Sequence, residues 1–87
     1  YDKAIGYYEQ ALSSDLKTYG EDHPSIARDL NNLGSAWDSL GQYDKAIRFF
    51  EQALAILTEK LGSEHPHTLL VSSNLENARK ALADKTK

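Results

Sequence analysis

Tyr43-Asp44-Lys45-Ala46-Ile47 restates, residue for residue, the Tyr1-Asp2-Lys3-Ala4-Ile5 that stands 42 positions earlier. The same offset carries Glu9-Gln10-Ala11-Leu12 onto Glu51-Gln52-Ala53-Leu54, Gly20 onto Gly62 and His23-Pro24 onto His65-Pro66. Asn32-Leu33, Ala36 and Leu40 likewise meet Asn74-Leu75, Ala78 and Leu82, so 16 of 42 aligned positions are identical without a gap. A period of this length marks a stacked array in which each unit buries its apolar face on its neighbour.

Inside each unit the apolar residues recur at steps of three and four, the spacing of one helical face. Ala4, Ile5, Tyr8, Ala11, Leu12, Leu16 and Tyr19 form the first such face. Ala46, Ile47, Phe50, Ala53, Leu54, Leu57 and Leu61 repeat it. Ile26, Ala27, Leu30, Leu33, Ala36, Trp37 and Leu40 mark a second kind of helix, and Leu69, Leu70, Leu75, Ala78 and Leu82 mark its counterpart. Gly20 and Gly62 suit left-handed positions after a helix, Pro24 and Pro66 suit the first turn of the next, and Gly41 stops the second segment. The sequence thus predicts an all-α chain, residues 1–87 forming a single array. Its first unit is 1–42, with helices over about 2–19 and 25–40, and its second is 43–87, with helices over about 44–61 and 67–84. Short loops force antiparallel neighbours.

Leu33-Gly34 is followed by Trp37, then Gly41-x-Tyr43, then Ala46, Phe50 and Ala53. In this it resembles the tetratricopeptide repeat family, whose pattern asks for each of those residues. The resemblance implies a right-handed α-α superhelix, here four antiparallel helices in B-A-B-A order. It also implies a non-catalytic role in protein–protein interaction. The period exceeds the family's usual ~34 residues, and is similar to the 42-residue subclass of kinesin light chains and nephrocystin-like proteins. Glu76 and Arg79 replace the glycine and aromatic of the pattern, and Lys80, Asp84, Lys85 and Lys87 follow. That polarity implies a C-terminal capping helix. At the other end the first B helix would lack its A partner, leaving Tyr1, Ile5, Tyr8 and Leu12 as a self-association patch. Two repeats also fall below the roughly three expected for independent stability.

Eighty-seven residues allow one small domain and exclude a multidomain enzyme. A net charge of −3 does not suggest nucleic acid, and no apolar run approaches the ~20 residues that span a bilayer. The charge is uneven: residues 1–42 carry −4 and residues 43–87 carry +1. Without cysteine there is no disulfide framework or thiolate site, which leaves localisation open, the cytoplasm being the default expectation. Without methionine Tyr1 is not a translation start, so the chain is expected to be a piece of something longer or to have been processed.

Few residues offer chemistry. Asp22-His23-Pro24-Ser25 holds an acid, an imidazole and a hydroxyl, but neighbours in one turn cannot orient one another as a relay; loop capping before a proline start explains them. His65-x-His67 with His23 could be metal ligands, yet unpatterned surface histidines are commoner. The expectation is no enzyme, no cofactor and no metal. The candidate site is instead the surface of the A helices, which in the resembled family line the groove. Arg28, Asn31, Asn32, Ser35 and Ser39 occupy that face of the first, and Ser73, Asn74, Asn77 and Lys80 that of the second. Asn32 and Asn74, 42 apart, would form a ladder of amides that both donate and accept, suited to holding an extended peptide backbone. The expected partner is a protein or peptide, without nucleic acid or membrane. The rival reading is a structural repeat that homo-oligomerises through its uncovered N-terminal helix.

Overall fold

The computed structural model describes residues 2–85, leaving Tyr1 of the expected self-association patch outside the described residues. Among these, four helices follow one another: α1 (Asp2–Tyr19), α2 (Pro24–Ser39), α3 (Tyr43–Leu61) and α4 (Pro66–Lys85), with no strand. Local chemistry sets their ends. Gly20, Gly41 and Gly62 have φ of +86°, +79° and +92°, a region open to glycine at no steric cost. His23 caps α2, its Nδ1 accepting from Ser25 N at 3.0 Å, with Pro24 in the first turn. His65 does the same for α4, accepting from His67 N at 3.1 Å. The recurrent His-Pro is therefore a helix start.

Each helix packs on its sequence neighbours, and α2 also touches α4. The larger core lies among α2, α3 and α4, where Ile26, Leu30, Phe50, Leu57, Val71 and Leu75 are buried around Ala27, Ala46, Ala53 and Ala78. A smaller one joins α1 to α2 through Ile5, Leu33 and Ala36, flanked by half-buried Tyr8, Leu12, Trp37 and Phe49. The small residues decide how close the helices come. A Cβ on Gly34 would stand 2.6 Å from Phe50 Cε1, so the Phe50 ring lies directly on the α2 backbone. Polar ties finish the edges: Lys45 Nζ sits 4.3 Å from the Trp37 ring centre, and Lys85 Nζ donates to Gly41 O at 3.2 Å.

The four helices extend over 41 × 32 × 15 Å along their principal axes. No helix among the described residues is long and apolar enough to cross a membrane.

Candidate peptide-binding groove

The two A-type helices α2 and α4 lie side by side, and the side chains between them form the only contact between non-consecutive helices among those described. Asn74 Nδ2 donates to Asn31 Oδ1 at 3.0 Å across this seam. Beside the pair is a cavity of about 160 Å³, with Ala27, Leu57 and Val71 at its wall and Arg28, His67 and Leu70 around it. Leu70 is 54% exposed, large for an aliphatic side chain at the lip of an apolar hollow. The bonded amides leave Asn31 Nδ2 and Asn74 Oδ1 to donate to and accept from an added chain.

The expected site residues separate into groups. Arg28, Asn31 and Asn74 come together at this seam. Ser35, Ser39, Ser73 and Asn77 are exposed on α2 and α4. Lys80 is exposed and paired with Glu76 at 3.5 Å, one helical turn away. Of the expected Asn32–Asn74 ladder, Asn74 pairs with Asn31. Asn32, one residue on, is turned by about 100° towards the flank of α2 away from α4. In the expected self-association patch the described residues are partly covered. Ile5 is 6% exposed and packs on Leu33 and Ala36, because α2 covers it; Tyr8 and Leu12 are half-buried. The exposed apolar side chains of α1 are instead Tyr7, at 70%, with Leu16 and Tyr19.

Two features lay beyond the groove residues expected from the sequence. His67, weighed there only as a metal ligand, and Leu70, placed on an apolar helix face, line the groove together with Val71. Asp29 is 4% exposed in the seam between α1 and α2, and its Oδ2 accepts no hydrogen bond. Burial pushes its carboxyl up to about 6; the neighbouring Asp15 carboxyl adds to this and Arg28 opposes it. The repeat itself carries the signal: the 42-residue offset aligns Asp29 with buried Val71 and Asp15 with buried Leu57.

Among the described residues no group of three or more His, Cys, Asp or Glu is placed to hold a metal. Nδ1 of His23 and of His65 is taken up in capping. The architecture is that of paired helices stacked into an array, with small and aromatic residues interlocked at each hairpin. The tetratricopeptide repeat family matches residues 1–59, and the chain belongs to that family. Members generally mediate protein–protein interaction and are typically non-catalytic scaffolds. The matched stretch ends within α3, so α4 lies beyond it. A search of curated proteins gives no match.

Proposed function

We infer that this chain is a non-catalytic interaction module that holds an extended peptide, or one edge of a partner helix, along the α2–α4 groove. The observation that carries this reading is the juxtaposition of the Asn31–Asn74 amide pair with an open apolar hollow lipped by Leu70. The amides would fix the ligand's backbone, the hollow would take one aliphatic side chain, and Arg28 would favour an acidic neighbour. The 42-residue period and the 18 and 19 residues of α1 and α3 support placing the chain in the long-repeat subclass. Burial of Ile5 weakens the rival self-assembly reading, since the centre of its patch is already covered.

Panning a random peptide library against the intact chain tests the groove. Selected peptides should carry an aliphatic anchor near an acidic residue, and Leu70→Asp should weaken them at least tenfold with helix content unchanged. Full affinity on Leu70→Asp would reject the assignment.

A further inference from the structure

The two A-type helices begin in the same way, and both beginnings hang on an imidazole. In α2 one residue receives every N–H of the first turn. Ser25 N donates to His23 Nδ1 at 3.0 Å, and Ile26 N and Ala27 N donate to His23 O at 2.9 and 3.3 Å. In α4 His67 N donates to His65 Nδ1 at 3.1 Å, and Leu69 N to His65 O at 3.0 Å. Pro24 and Pro66 have no N–H to satisfy. The usual capping residues, serine, threonine, aspartate and asparagine, keep an acceptor oxygen throughout the neutral range. Histidine does not, because its charge changes between about pH 5 and pH 8.

An imidazolium carries protons on both ring nitrogens, so no rotation of the ring restores an acceptor. Nδ1–H would then face the N–H of Ser25, or of His67, and a positive charge would stand at the end of a helix that is itself positive. No neighbour takes over the cap. Neither first turn carries an acidic residue, and among the described residues no other side chain is bonded to these N–H groups. The His23 ring is stacked on Tyr19 of α1 at 4.2 Å between centres, and lines one surface hollow with Glu21 and Asp22 of its loop and Lys60 of α3. The His65 ring stands 5.1 Å from that of His67, with Glu64 next to it in the chain and Arg28 of α2 across the cavity that His67 lines.

We propose that His23 and His65 form a paired acid-sensitive latch: protonation removes both caps together, and the first turns of α2 and α4 unwind while the rest of the array stays folded. The segments that loosen carry Pro24, Arg28, His67 and Leu70, so the latch stands at one end of the α2–α4 groove. It acts on these turns whether or not the groove holds a peptide.

The intact chain is compared with His23→Asn and His65→Asn, singly and together, asparagine being a strong cap that does not titrate. From about pH 7.5 to about pH 5 the parent should reversibly lose about a tenth of its helical ellipticity, two turns' worth, and the double variant should keep it. At the acid end the double variant should melt roughly 5 °C or more above the parent, and at the neutral end the two should melt together. Each single variant should give about half the gain. The Asp29 carboxyl, bonded to that of Asp15 in the α1–α2 seam, and the third histidine, His67, are common to every chain compared, so the differences do not contain them. In proton–nitrogen NMR spectra of the parent the Ser25 amide should shift in step with the His23 ring, a reading that stands even if the double variant fails to fold. Three results would overturn the latch: the same separation of melting temperatures at both ends of the pH range, an ellipticity loss that persists in the double variant, or a Ser25 amide that does not follow the ring.

Discussion

The seam between α3 and α4 and the seam between α1 and α2 are the same piece of architecture made twice, 42 residues apart, with opposite chemistry at the centre. In the first, Leu57 meets Val71 and both are buried in a continuous apolar core. In the second, Asp15 and Asp29 stand in those places, and only Ile5, Leu33 and Ala36 are buried as core. The turn signals are shared: a glycine with positive φ, then a capping histidine, then proline. Backbone punctuation therefore holds the fold constant while the residues between are free to diverge. One seam has been closed for stability, and the other has kept a polar centre that costs stability when nothing covers it.

The sharpest way to break that comparison is to truncate the equivalent aromatics. Phe50 is 2% exposed, and Phe50→Ala should cost about 3–5 kcal/mol, enough to unfold a marginal domain of this size. Tyr8→Ala, at the half-buried counterpart, should cost less than half as much. Urea denaturation of both variants gives the ratio, and equal losses would mean that the two seams are equally closed.

Next in size is the carboxyl itself. With Asp29 raised from 3.8 to about 6, its protonated form is favoured in the folded chain. The associated stability is fully present below about pH 4 and is lost as pH rises through about 6. At about 1.4 kcal/mol per pKa unit, ionised Asp29 costs the folded chain roughly 3 kcal/mol at neutral pH. Asp29→Val, which copies Val71, should therefore stabilise the chain at pH 7 by about 2–3 kcal/mol, and the gain should shrink towards zero by about pH 4. Thermal denaturation of the variant and the parent across that range is the measurement. A gain independent of pH would point to packing alone.

Much of this was legible in the sequence, for reasons that are local. Gly20, Gly41, Gly62, Pro24 and Pro66 act through their own backbone preferences, so the helix ends can be read without knowing what packs on what. The Gly34–Phe50 interlock is legible because a glycine inside a helix needs a reason, and a bulky ring at the right spacing supplies it. What failed to read was lateral. An identity such as Asn32 with Asn74 shows that two residues hold equivalent places in successive units, and equivalent places point the same way along an array. Contact joins one flank of a unit to the opposite flank of the next, so the partner of Asn74 is Asn31. Asp29 was hidden for a different reason. Aspartate reads as surface, and its burial shows only when the repeat sets it on Val71.

The smallest predicted effect bears on that lateral rule. Asn74→Ala removes the N–H that reaches Asn31 Oδ1 and leaves a half-buried acceptor unpaired, which should cost about 1 kcal/mol. Asn32→Ala is the same substitution at the equivalent place in α2, where no described helix supplies the partner, and should cost no more than about 0.5 kcal/mol. Combining Asn31→Ala with Asn74→Ala should cost less than the two single losses added together, because the double variant strands neither group. Asn31→Ala with Asn32→Ala should be simply additive. If Asn32→Ala proved as costly as Asn74→Ala, the two amides would be doing the same structural work. The asymmetry between a tied seam and an open one would then have to be placed elsewhere than at these residues.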